Sequence, residues 1–318
     1  MTKPRVSVIV VTHESEDFIE ACLRSIPAGL VGLEHETIVV DSGSRDGGPG
    51  RVRSGFPDVR LIELGTNVGF GRACNRAATE ARGELLFFVN PDAVLRPGGL
   101  AELVTVAAGR PNDALFGSRA VDEEGHVLWN SCWGFPSLWS LACFASGAST
   151  AFRRTRLFDP ESLGRWRRDT LRPIDAVTGY ALLIRRAAWD RLAGFDERYF
   201  LYGEDIDLSQ RAHAAGFGVV HVPVTTVTHF EGRSTPDEGR RMSLILRGKV
   251  TFVRAHWTSW RASLGVACLR TGVALRALFG PSKWRAVWHE RSSWSVPYPG
   301  PPSPGDSDAT RPPSGTGS

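Results

Sequence analysis

Apolar positions in the first hundred residues follow two alternating periods. VSVIVV (6–11) is a β-branched run suited to a strand buried on both faces, and 15–26 puts its apolar residues on one helical face. The unit repeats: TIVVD (37–41) and VRLIEL (59–64) read as strands, 71–81 as a helix, and LLFFVN (85–90) as a fourth strand ending at an Asn-Pro-Asp turn. Strands alternating with helices predict right-handed βαβ crossovers and a mainly parallel sheet, whose ligands sit beyond the carboxyl ends of the strands. Thr12, His13, Glu14, Asp41, Ser42, Asn90 and Asp92 fall there. A dinucleotide-binding reading fails, because the first turn, THES, carries no GxGxxG. The glycines of GFGRACN (69–75) read equally well as a tight loop before a helix.

Toward the C-terminus the pattern changes twice. Between Arg240 and Arg291 eleven Lys or Arg residues stand against one acid, Glu290, with Trp257, Trp260, Leu269, Trp284 and Trp288 among the apolar residues between them. Two readings fit, a basic helical segment packed on the domain or an amphipathic surface lying on a membrane. Arg270 and Arg276 interrupt its most apolar part, 262–279, which is expected to be too short to span a bilayer. Beyond Trp294, Pro, Gly and Ser dominate, and 295–318 is expected to be disordered. The predicted organisation is an α/β domain at 1–239, divided near residue 95 into two halves, a helical extension at 240–294, and a tail.

Composition adds limits. A chain of 318 residues, 42% hydrophobic, can bury one large α/β core with an appendage. Five scattered cysteines without a CxxC pair suggest neither a zinc site nor a disulfide framework, and the N-terminus lacks a signal-peptide pattern, so a reducing cytoplasm is expected. No nucleic-acid-binding module accompanies the basic segment, so no nucleic-acid partner is expected.

The densest chemistry lies in 180–211, where Asp196, Glu197, Glu204, Asp205 and Asp207 surround an aromatic run. Clustered carboxylates repel one another unless a metal, bound cations or a proton-transfer task compensates. Asp207 and Arg211 stand at i and i+4 and read as a helix-stabilising ion pair. Asp196 and Glu197 read equally as turn formers or as sugar contacts. Residues 126–173 are aromatic (Trp129, Trp133, Phe135, Trp139, Trp166) and basic (Arg153, Arg154, Arg156, Arg165, Arg167, Arg168), which suits either the binding of an anionic group beside an apolar one or a solvated loop.

VSVIVVTHES, VVDSGSRDGG, NVGFGRACNRA, FFVNPDAVL, the 175–217 segment and HFEGRS occur in an order and spacing that resemble the family 2 glycosyltransferases with the A-type (GT-A) fold, near the rhamnosyltransferase branch. The resemblance covers roughly 5–235. It implies a nucleotide-diphosphate sugar donor, a glycan or lipid-linked glycan acceptor, inversion, and Mn²⁺ or Mg²⁺ as cofactor. Thr12, Glu14 and Asp41 would line the base and ribose pocket, and Asn67, Gly69, Phe70 and Asn75 would close over the nucleotide. Asn90 would stand where the metal motif commonly has its first acid. Asp92 and His229 would hold the metal, Asp175 would lie near the sugar, and Asp205 would be the base with Glu204 beside it. Rhamnose from dTDP-rhamnose is the implied donor, in cell-wall or polysaccharide assembly. A non-catalytic nucleotide-sugar or glycan-binding relative is the alternative.

Overall fold

The computed structural model describes residues 5–230 and 237–300. Among these, nine strands form one sheet in the order β3 (Arg60–Glu63), β2 (His35–Asp41), β1 (Val6–Thr12), β4 (Leu85–Val89), β10 (Ala181–Arg185), β6 (Asp113–Val121), β11 (Gly218–His229) and β5 (Ala93–Leu95), with β8 (Arg172–Pro173) laid on β11. A separate two-stranded sheet joins β7 (Cys132–Trp133) to β9 (Ala176–Val177). β3, β2, β1 and β4 are mutually parallel, β10 enters antiparallel between β4 and β6, and β11 returns parallel to β6.

The period-2 pattern explains why the first strands are apolar throughout. Val6, Val8 and Val10 join the core on one face of the sheet, while Ile9 and Val11 join the core on the other. Each such side chain contributes about 1.5–3 kcal/mol when fully buried. The crossovers run through α1 (Glu16–Gly29), α2 (Gly48–Gly55) and α3 (Phe70–Glu80). The second half carries α4 (Gly99–Ala108), α7 (Arg186–Leu192) and α8 (Glu204–Ala214), and α5 (Leu138–Ser146) and α6 (Ala148–Ala151) fill the insertion between β7 and β8.

The C-terminal segment folds as α9 (Glu238–His256), α10 (Ser259–Phe279), α11 (Lys283–His289) and α12 (Arg291–Trp294). These helices build a third core with Leu141 of α5, containing Leu246, Val250, Leu269, Val273 and the fully buried Trp294. Two expectations are corrected here. Residues just beyond Trp294 are ordered: Tyr298 is buried, its hydroxyl donates to the Leu201 carbonyl at 2.7 Å, and its amide donates to Thr251, so one aromatic anchors a stretch of otherwise weak core-forming composition. Residues 301–318, where the rest of the expected tail falls, lie outside the described residues. Length does not bar α10 from spanning a bilayer, since it starts at Ser259 and is long and apolar enough to cross by those criteria alone; a third of its apolar window is packed inside the protein.

The extension is tied to the acidic segment through one buried carboxylate. Asp207 accepts from Arg211 at 2.7 Å, the i,i+4 pair expected from the sequence, and from His256 at the end of α9, also at 2.7 Å. Arg211 also caps the Leu192 and Gly194 carbonyls. Asp207→Ala leaves the Arg211 guanidinium and the His256 ring nitrogen without their shared acceptor and is expected to cost about 3 kcal/mol, read as a lower urea midpoint with an unchanged m-value.

Candidate functional site

β1 and β2 end side by side, Thr12 opposite Asp41. Thr12 is buried and its hydroxyl oxygen has no hydrogen-bond partner among the described residues, which leaves a polar atom free at the strand end. The Asp41 carboxylate accepts from the Gly43 and Ser44 amides at 3.1 Å, holding the turn that follows β2. Glu14, at a left-handed φ of 50°, donates its amide to Ser44 and accepts from the Arg45 amide, so it braces the same rim from the solvent side. Asn67 accepts from the Gly69 amide at 3.0 Å, and Ser42 bonds both Asn67 and the Val68 amide. Thr12, Asp41, Asn67 and Gly69 thus share one continuous rim, knit by a serine that was noted only as a strand-end residue.

Gly69 has φ 87°, and a Cβ there would collide with the Phe200 carbonyl oxygen, which accepts from the Phe70 amide at 3.0 Å. Glycine lets the 195–203 loop dock on the start of α3 and so delivers α8 to the site. Asn75 is placed elsewhere than expected. Its amide donates to the Phe195 carbonyl and to Glu197 and accepts from the Phe195 amide at 2.9 Å, leaving no group directed at the rim. It anchors the loop leading to α8. Asp196, gripped by the Arg198 fork, stabilises the same turn.

Beyond β4, Asn90 donates its amide to the Tyr180 carbonyl at 3.2 Å, and its own carbonyl accepts from Ala93. The backbone at Asp92 accepts from the Phe230 amide at 3.0 Å, which aligns the end of β11 with the turn. Buried Asp92 and His229, 137 residues apart in sequence, meet at 3.2 Å between Oδ1 and Nε2. The Tyr180 ring stacks on the imidazole with centroids 4.5 Å apart and planes at 11°. A buried carboxylate oxygen and an imidazole nitrogen converging at 3.2 Å fit a divalent cation that prefers oxygen and tolerates nitrogen. Gly232 and Ser234, part of the expected His229 motif, lie outside the described residues. Another group with metal-like spacing, Asp122, Glu124 and His126, is exposed except for a half-buried Asp122, and its Asp122–His126 hydrogen bonds close its own turn.

Asp205 stands on the other side of Tyr180. Its carboxylate accepts from the Gly179 amide at 2.9 Å and the Ile206 amide at 2.8 Å. A Cβ on Gly179 would come within 3.2 Å of the Phe70 ring but only into ordinary contact with Asp205, so the aromatic neighbour is what favours glycine here. Glu204 is buried, and its Oε2 has no partner among the described residues. Burial first, then the neighbouring Asp205 charge, pushes its carboxyl up to about 8. Burial also raises Asp205, against the pull of the Gly179 and Ile206 amides. Two adjacent acids with unequal support hold one proton between them most of the time. The amides favour the charge on Asp205 and the proton on Glu204.

Asp175 is not brought to these groups by any contact. It is exposed, accepts from the Phe135 amide at 2.9 Å, and its carbonyl meets His213, so it fastens the insertion to α8. The residues that join the predicted ligands are Gly179 and Tyr180, whose role no spacing in the sequence announces. The signal lay in GY directly before a strand, but the partner of a ring is not encoded by spacing.

A polar rim, a carboxylate–imidazole pair and a buried acid pair lie toward the carboxyl ends of a mostly parallel sheet, an α/β architecture shared with the GT-A glycosyltransferases. The description "Glycosyl transferase family 2" matches residues 7–192, and the chain belongs to that family. It is 31% identical over 292 residues to the N-acetylglucosaminyl-diphospho-decaprenol L-rhamnosyltransferase of Mycobacterium tuberculosis, covering 85% of this chain and 91% of the relative. It is 26% identical to the Escherichia coli rhamnosyltransferase WbbL, over 71% and 83% of the two chains. The fold is similar to a Pyrobaculum calidifontis mannosyltransferase in complex with GDP-Man and Mn²⁺, with TM-score 0.56, 22% identity, and coverage of 92% and 80%.

The Glu204 shift has a sign that can be measured. Its folded-state value lies above the ordinary carboxyl value, so the folded protein holds the extra proton between about 4.5 and 8 and stability falls as pH rises through that window. Glu204→Gln is expected to flatten this part of the stability–pH curve and to raise the denaturation midpoint relative to the parent at pH 8.

Proposed function

We propose that this enzyme transfers rhamnose from dTDP-rhamnose, with inversion, to an N-acetylglucosamine carried on a polyprenyl diphosphate. The observation that carries the reading is the chain of contacts Asp205–Gly179–Tyr180–His229–Asp92, which supports a proton acceptor at one end and a metal-holding pair at the other. The rhamnosyltransferase relatives support the sugar and the acceptor class.

Thr12 and Asp41 would receive the base and ribose, and the Asn67–Phe70 turn would cover the nucleotide. Asp92 and His229 would hold Mn²⁺ or Mg²⁺, which when bound neutralises charge on the departing diphosphate. Asp205 takes the proton of the acceptor hydroxyl as its oxygen bonds to the anomeric carbon, while the bond from that carbon to the donor phosphate breaks and its electron pair leaves with the nucleotide diphosphate. Attack opposite the leaving group inverts the centre. Glu204, protonated, adds no competing charge and leaves Asp205 as the base. A binding module without turnover would have no use for a buried acid pair of this cost.

A lipid-linked acceptor calls for a place at the cytoplasmic face of a membrane, and α10 supplies a fitting surface. Its inner residues pack on the extension core, while Trp260, Leu264, Leu275, Leu278 and Phe279 are exposed, the last at 85%. Arg261, Arg270 and Arg285 stand exposed around this stripe, as an anionic interface would require. Leu278→Glu with Phe279→Glu is expected to abolish co-sedimentation with phosphatidylglycerol vesicles; unchanged sedimentation would remove the membrane role.

Nucleotide-diphosphate release from dTDP-, UDP- and GDP-sugars, with and without Mn²⁺, tests the activity. dTDP-rhamnose should give the highest rate with a polyprenyl-diphosphate-linked acceptor, and release from none of the donors would count against transfer. Asp205→Asn should lower kcat at least ~10²-fold with donor binding retained, and equal turnover would remove the base assignment. Asp92→Ala should weaken Mn²⁺-dependent dTDP binding, whereas undiminished metal dependence would argue against its role.

A further inference from the structure

Three arginines in the acceptor half are arranged on two tryptophans. Arg154 lies over the Trp129 ring at 4.0 Å and Arg172, in β8, over the Trp166 ring at 4.2 Å. Arg168 fills the space between them, 4.7 Å from the Trp166 centroid and 5.7 Å from that of Trp129, and is completely buried. Its terminal nitrogens donate only to carbonyls, those of Trp129, Ser162 and Trp166 among them, and its Nε has no partner among the described residues. None of these three guanidiniums forms an ion pair within the described residues. Asp159 accepts from the Arg154 backbone amide instead, and Glu161 is taken by Lys249 and Ser140.

Carbonyls and ring faces offset part of the cost of a buried guanidinium, but three cations in mutual range still favour an anion. His221, bonded through Nε2 to the Arg168 carbonyl at 3.0 Å, does not add to the charge, because burial pushes its imidazole down to about 4. The group adjoins the site already described. Trp129 is followed by Asn130, which accepts from the Tyr180 hydroxyl at 3.4 Å and, through its carbonyl, from Thr178. Tyr180 is the ring stacked on His229.

We propose that Arg154, Arg168 and Arg172, seated on Trp129 and Trp166, form a subsite for the diphosphate of a lipid-linked acceptor. The inference rests on the transferase reading and specifies its acceptor side. Two guanidiniums on separate tryptophans match a diphosphate better than a single phosphate, since each can bind one phosphoryl group through two N–H donors. The donor's diphosphate has its own place at the β1, β2 and β4 ends with Asp92. Arg172 belongs instead to β8, which pairs with β11 on the far half of the sheet. The apolar tryptophan faces suit the first isoprene units.

Calorimetric titration of the full chain with geranyl diphosphate in EDTA, and separately with dTDP in Mn²⁺, tests the assignment. Arg154→Gln combined with Arg172→Gln should weaken geranyl diphosphate at least ~10-fold, the loss of one charge-assisted contact or more, while dTDP affinity stays within about twofold of the parent. Each single variant should give an intermediate loss, which guards against a folding defect in the pair. Unchanged geranyl diphosphate affinity in the double variant, no metal-free binding by the parent, or an equal loss of both ligands would overturn the subsite. A parent chain that binds geranyl diphosphate but no nucleotide diphosphate of any base would instead contradict the donor assignment.

Discussion

The close approach of Gly179 to Asp205 is the constraint on which the site depends. One amide hydrogen bond, 2.9 Å long, fixes the first turn of α8 against the corner that enters β10. The next residue, Tyr180, has its carbonyl bonded to the Asn90 amide and its ring on His229. A two-residue corner therefore holds in register three segments that are remote in sequence: the β4 turn, the end of β11 and the start of α8. β10 can provide this because it enters antiparallel between β4 and β6, bringing its leading end to the carboxyl edge of the parallel strands.

Electrostatics then divides the acids by task. Asp207 is paired with the Arg211 guanidinium, hydrogen-bonded to His256, and serves the fold. Glu204 has no such partner among the described residues, and burial pushes its carboxyl up to about 8, while Asp205 keeps two amide donors that support its charge. The start of α8 favours negative charge through the helix dipole, yet burial outweighs this for Glu204. Three acids within four residues acquire different states because their neighbours differ.

The central strands were legible because their signals are local. Apolar runs at 6–11, 37–41 and 85–90 lie on the observed β1, β2 and β4, and the polar residues after them fall at the predicted edge. Asp92 and His229 could be paired only through a family resemblance, since no spacing spans 137 residues. Asn75 and Asp175 show the same limit in reverse: a motif position does not reveal that an amide bonds a loop 120 residues away, or a carboxylate Phe135. Arg172 escaped notice because its significance comes from the Trp166 ring beneath it. Tyr298 showed that one aromatic can order residues whose average composition argues against it.

Electron spin-echo spectroscopy of Mn²⁺ bound with dTDP tests the convergence at the centre of this account. An imidazole nitrogen coupled to the manganese, lost in His229→Ala and retained in Asp205→Asn, is the predicted result. A manganese signal without nitrogen modulation in the parent protein, with dTDP bound, would contradict the joining of His229 and Asp92 at the donor's diphosphate.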